Sequence, residues 1–87
     1  RPSFPQKQGM LFLFDISDRH SFWMKGMQFP IDIIFIRDSV VDSVAMNRQP
    51  NDLNPVFPQY PVNAVLEVNA GEAWDVRPGD RVEIVRR

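Results

Sequence analysis

Four prolines within one stretch set the first limit on what this chain can become. Residues 47–62 (NRQPNDLNPVFPQYPV) carry Pro50, Pro55, Pro58 and Pro61. Proline lacks an amide hydrogen and fixes its own φ, so this stretch forms neither a helix nor a central strand. Structureless loops beyond about 12–15 residues inside a compact domain are usually functional or disordered. Leu53, Val56, Phe57 and Tyr60 give this one apolar groups with which to pack down on the rest. The rest is small. The 87 residues make one domain, 1–87, and a domain of that size buries roughly 60–65% of its unfolded surface.

On either side of the loop, short apolar runs alternate with turn residues. Residues 10–14 (MLFLF), bounded by Gly9 and Asp15, suit a strand covered on both faces. Residues 20–25 and 31–37 read as two strands joined by a Gly/Pro turn over 26–30. Paired as an antiparallel hairpin with Lys25 opposite Asp32, they set Trp23 against Ile34, Met24 against Ile33 and Phe22 against Phe35. Side chains alternate along a strand, so Phe22, Met24, Ile33 and Phe35 would share a core face. Trp23, Lys25, Asp32 and Ile34 would share the other, and a one-residue slip would exchange the two.

Asp38-Ser39 opens a tight connection to a valine-rich strand over 40–46, with two-residue and three-residue loops both acceptable. Residues 63–69 (NAVLEVN) place Ala64, Leu66 and Val68 on one face, with Val65 and Glu67 on the other. Residues 70–76 suit one helical turn anchored by Trp74. Arg77-Pro78-Gly79-Asp80 has the order of a type II turn, and residues 81–87 (RVEIVRR) read as the last strand. The expected fold is mainly β: a small antiparallel barrel or sandwich of five to six strands, with one long Pro-rich loop and at most one short helical turn. Crossover helices for a parallel sheet are missing.

Composition removes several function classes. An apolar share of 44% argues against disorder. Net charge is −1 with the signs interspersed, so the chain has no electrostatic footprint for nucleic acid. Without cysteine there is no disulfide, thiol nucleophile or thiolate zinc site. His20 is the single histidine, no serine sits in a nucleophile elbow, and no Gly-rich phosphate loop is present. No apolar run approaches the ~20 residues of a membrane span. The chain opens Arg-Pro-Ser-Phe-Pro with no signal peptide or initiator Met, as expected of a cut inside a longer protein.

The remaining polar candidates lie in the apolar strands. Lys25 and Asp32 would form either a catalytic or ligand-binding pair or a structural ion pair closing the hairpin. Trp23 would be a stacking platform or simple packing. Glu67, among valines and leucine, needs a partner such as Lys25 or an arginine if it points inward. Asp80 suits capping of turn amides. Asp32, Glu67 and Asp80 have no spacing that supports a metal site, and no cofactor is expected. Met24, Met27, Phe29, Phe57 and Tyr60 are candidates for an apolar groove near the hairpin turn, with core packing the better account of Met24.

Four phrases carry a family resemblance: GMLFLFD, FWMKGM-x-x-PIDIIFI, AVLEVNAGE and R-x-GD. Together, from Gly9 to Val85, they resemble the bacterial and archaeal domain-of-unknown-function family 192. Its motif positions fall here on Trp23, Met24, Lys25, Pro30, Asp32, Tyr60, Leu66, Glu67, Gly71, Gly79 and Asp80. The resemblance implies a compact, mostly β fold with no settled activity, and a cell-envelope location for the many members that carry export or lipid-attachment leaders. It also implies a strand and short helical segment ahead of Arg1, whose absence would leave a sheet edge open to another chain.

Three functions follow as expectations. The first is a binding module with a pocket around Trp23, Lys25 and Asp32, covered by the Pro-rich loop with Phe57 and Tyr60, and with Glu67 within reach. Its ligand would be a small molecule, a saccharide or a peptide. The second is an enzyme using Lys25 as base with Asp32 or Glu67 assisting. The third is an accessory or assembly protein acting through its sheet edge, including a homodimer, or through the turn at Met27 and Phe29.

Overall fold

A computed structural model describes residues 3–86 of the chain. It contains four strands: β1 (Gly9–Asp18), β2 (Ile31–Arg37), β3 (Val40–Arg48) and β4 (Val62–Asn69). They form one antiparallel sheet in the order β1-β4-β2-β3. The last strand in sequence therefore lies between the first two.

The sheet is open, with β1 and β3 at its edges, and the described residues contain no helix. This corrects the expectation of five to six strands in a barrel or sandwich. Residues 20–25 form no ladder with β2; their contribution is one isolated bridge, Phe22 to Val56 of the Pro-rich loop. Residues beyond 80 contribute a single bridge, Val40 to Arg81. Both segments cover the sheet through side chains instead of extending it.

β2 is internal, which explains why Ile31 through Ile36 are all buried. Ile31, Ile33 and Phe35 face one side with Val65, Val62, Met24 and Phe29. Ile34 and Ile36 face the other with Ala64, Val41 and Ala73. Each fully buried aliphatic or aromatic side chain contributes about 1.5–3 kcal/mol. Residues 19–30 and the Pro-rich loop close the first face, and residues 70–82 close the second. The expected alternation along β4 holds, with Ala64, Leu66 and Val68 packed on the second face and Val65 on the first. Trp74 is 71% exposed, so Ala73, fully buried, is the apolar anchor of the 70–76 turn.

The connections follow local chemistry. Asp38 and Ser39 both have positive φ, 48° and 66°, and Arg37 pairs with Val40. This is a two-residue hairpin loop of the mirror-image kind, whose twist matches the flanking strands. Two register shifts follow in β3. Between the pairs Ile31–Arg48 and Ile33–Ala45, Asp32 opposes two residues, Met46 and Asn47; between Phe35–Ser43 and Ile36–Val41, Asp42 is the extra residue. β1 runs on to Asp18 with a large irregularity between Leu13 and Asp18. It is an edge strand with Met10, Leu11 and Leu13 exposed, not a strand covered on both faces.

Candidate functional site

Asp32 and Lys25 do not meet. In the sheet Asp32 pairs with Val68 of β4, and its carboxylate faces the 70–73 turn. It is 1% exposed and accepts three backbone N–H bonds: from Asn47 at 2.8 Å, Gly71 at 2.9 Å and Ala73 at 3.1 Å. The bulge at Asn47, whose φ is 52°, aims that amide at Asp32. The carboxylate therefore clamps three chain segments together. Lys25 is exposed, and its Nζ sits 5.3 Å from the centroid of the Trp23 indole, itself 53% exposed. Trp23 thus shields neither Ile34 nor Asp32.

Tyr60 is placed by a second bulge. The Asp42 carboxylate accepts the amides of Gln59 at 2.8 Å and Tyr60 at 3.1 Å. The phenol-bearing residue lines a hollow of about 250 Å³ beside Arg37 and Gly79, at the β3 edge of the sheet. Phe57 lies against the Arg19 guanidinium, 5.4 Å away. Asp80 behaves as expected of a turn aspartate: its carboxylate accepts the Arg77 amide at 2.8 Å, while Gly79 at φ 92° supplies the positive φ of the turn.

Glu67 is different. It stands on the first face, opposite Met10 of β1 and Ile33 of β2, and is 8% exposed. No hydrogen bond or ion pair reaches its carboxylate from the described residues, and the lysine or arginine partner expected for an inward Glu67 is not found among them. Burial pushes its pKa above the ordinary 4.5. The carboxyl group borders a cavity of about 450 Å³ walled by Phe4, Met10, Phe12, Met27 and Phe29, with Gly26 and Gln28 at the turn.

Each wall has its own anchor. Asn69, at the end of β4, accepts the Phe4 amide and donates to the Phe4 carbonyl, both at 2.8 Å, which fixes the N-terminal segment beside the sheet. The Phe4 ring then meets Phe29 edge-on at 5.1 Å. The 24–30 turn closes through Met27 N–H to the Met24 carbonyl at 2.9 Å, with Gly26 at φ 83°. Phe12 is braced by Phe22 at 5.1 Å.

Of Trp23, Lys25, Asp32, Tyr60 and Glu67, only Glu67 borders this cavity. Of the apolar groove candidates, Met27 and Phe29 line it, Met24 is core, and Phe57 and Tyr60 lie elsewhere. Phe4, Met10 and Phe12 were missed. The signal that brings in Met10 is its register opposite Glu67, visible only once β1 is paired with β4. A second cavity, about 470 Å³, lies on the opposite face near Ile34, Leu66 and Trp74. Its acid, Glu72, already accepts the Lys7 amide at 3.1 Å. Among the described residues no three His, Asp or Glu side chains converge as a metal site, and no helix is long and apolar enough to cross a membrane.

Comparison with known proteins finds a matching family model and similar solved structures. The family model DUF192, described as Uncharacterized ACR, COG1430, matches residues 1–84. A crystal structure of a protein of unknown function from Novosphingobium aromaticivorans DSM 12444 is similar, with 39% identity and a TM-score of 0.91. The similarity covers 97% of this chain and 62% of that one, so the chain spans less than two thirds of that relative. A Sinorhizobium meliloti 1021 protein, named as a candidate transcription regulator, is 35% identical with a TM-score of 0.89, over 95% of this chain and 67% of its own. No curated protein matches.

Proposed function

The chain belongs to the domain-of-unknown-function family 192, and from that premise we propose that it is a small binding module whose site is the Glu67 cavity. One observation carries the reading: Glu67, a nine-tenths buried acid with no partner among the described residues, borders an aromatic- and methionine-lined hollow. Burying an unpaired acid costs stability, and a bound ligand can offset that cost. The hollow's volume lies within the range of small-molecule sites, roughly 300–1,000 Å³. Its walls favour a small, mainly apolar ligand over a saccharide, which would need several hydrogen-bonding groups.

The sequence-based pocket around Trp23, Lys25 and Asp32 finds less support, because Asp32 is committed to backbone amides and Lys25 lies over an exposed indole. A second reading, proton transfer by Glu67 to or from a bound substrate, draws on its raised proton affinity. Lys25 is not among the residues lining the cavity and lends that chemistry no base there.

The test is a fragment titration followed by amide NMR. Shifts should cluster at Phe4, Met10, Phe12, Met27, Phe29 and Glu67, and Met27→Ala should weaken binding about tenfold (about 1.4 kcal/mol). Shifts that cluster at Tyr60 or Trp23, or no saturable binding at all, would remove the cavity from consideration.

A further inference from the structure

We propose that the ligand of the Glu67 cavity is an organic cation: an ammonium group on a short apolar body, its charge set against the Glu67 carboxylate and its body held by Phe12, Met10 and Met27. The proposal rests on the binding reading above and gives it a ligand class.

Most other acids of this fold have donors of their own. Asp32 accepts three amides, Asp42 two, and Asp80 one. Asp52 pairs with Arg48 at 2.6 Å, and Glu72 accepts the Lys7 amide. Glu67 is buried on the first face with no donor of any kind among the described residues.

Among the described residues, no charged group on a neighbouring element is positioned to serve as its counter-ion. On β4 it is the only titratable residue. On β2, Asp32 is turned to the opposite face and Arg37 stands at the far end of the strand. On β1, Asp15 and Asp18 lie beyond the regular pairing with β4. In the 19–30 segment that closes this face, Arg19 donates to the Pro58 carbonyl, the His20 ring is held at the Ile16 carbonyl, and Lys25 is drawn over Trp23. In the N-terminal segment, Lys7 borders the cavity on the opposite face. None of the described residues supplies the positive charge, and a ligand that carries one would complete the pair.

The walls suit such a charge. Aromatic rings attract cations through their quadrupoles, most strongly where water is excluded. Phe4, Phe12 and Phe29 supply three rings, and Met10 and Met27 add polarizable thioethers that adapt to an irregular apolar body. An anion would be repelled by Glu67. A neutral ligand would leave the carboxylate desolvated without compensation, or require it to take up a proton. A divalent metal would find one carboxylate where it needs several oxygen ligands.

Burial holds the Glu67 pKa above its ordinary value. A cation needs the ionised carboxylate, so its affinity should rise with pH as Glu67 loses its proton and fall on acidification. A neutral ligand should show no such rise.

Three probes of similar shape separate the outcomes: phenethylamine, phenethyl alcohol and hydrocinnamate, titrated into the full chain and followed by amide NMR. The amine should shift the cavity residues and bind at least about tenfold more tightly than the alcohol, with hydrocinnamate not binding. Glu67→Gln should weaken the amine by about tenfold or more and leave the alcohol unchanged. An alcohol that binds as tightly as the amine, or an amine indifferent to both Glu67→Gln and pH, overturns the cation while leaving the cavity a binding site. If none of the probes shifts cavity residues, the cavity reading fails and the cation with it. Should Glu67→Gln not fold, the amine-to-alcohol ratio and the pH dependence in the unsubstituted protein still decide.

Discussion

The Asp32 carboxylate has its acceptor sites filled by amides from three separate segments, and water has almost no access to it. Asp32→Ala would leave those amides without partners in a buried place. Unsatisfied buried groups cost about 1–3 kcal/mol each before relaxation, so a net loss of about 3–5 kcal/mol is expected by urea denaturation. A loss below about 1 kcal/mol would show that the clamp is not holding the fold. Lys25→Ala, at an exposed position, should change stability by no more than about 0.5 kcal/mol in the same experiment. Glu67 gives a pH signature of the ligand-free protein. Folding raises its proton affinity, so its favourable contribution is full below the ordinary value of 4.5 and is lost as the pH rises through the higher folded value. Glu67→Gln removes that loss. The variant should therefore gain stability relative to the unsubstituted protein as the pH rises from 4.5 through the raised folded value, and parallel pH–stability profiles would contradict the burial of an unpaired acid. The sequence marked Asp32 and Glu67 as unusual because acids rarely stand in apolar strands. It could not show that one is satisfied by amides and the other by none of the described residues, since those donors come from register and bulges.

At the scale of elements, the close seam is the one between β1 and β4. Gly9 lies opposite Val68, and a Cβ at Gly9 would collide with the backbone carbonyl of Glu67. Backbone cannot step aside as a side chain can, so Gly9→Ala should destabilise by roughly 1–3 kcal/mol. It should also displace the start of β1, seen as lost hydrogen-exchange protection at residues 9–11; full protection there would refute the close approach. β2, β3 and β4 were legible almost to the residue, because alternation and the turn at Asp38-Ser39 are local signals. Residues 20–25 and 81–87 were also read as strands on composition, yet Phe22 and Arg81 each make only an isolated bridge. A hydrophobic run under a loop and one in a ladder have the same pattern; the partner decides. The Gly/Pro turn over 26–30 pointed to a hairpin, but both edges of β2 are taken, by β4 and β3. That local misreading produced the Lys25–Asp32 pair.

At the scale of the whole molecule, the order β1-β4-β2-β3 was not legible, because it depends on β4 entering between two strands that precede it. β2 and β3 are joined by a two-residue loop and can pair at once, whereas β1 has no sheet partner until β4 arrives. Asp32 belongs to the same late assembly. Its donors stand 15, 39 and 41 positions along the chain, and two of them follow β4. Closing such long loops costs entropy before any bond is made. The clamp should therefore act as a latch on exit: in folding and unfolding kinetics, Asp32→Ala should speed unfolding by most of its lost stability and leave the folding rate nearly unchanged. A folding rate that falls in proportion would place Asp32 in the nucleus instead. With the latch intact, the protein's persistence against proteolysis would be set by how seldom one carboxylate releases its amides, a lifetime written at a residue that takes no part in the candidate site.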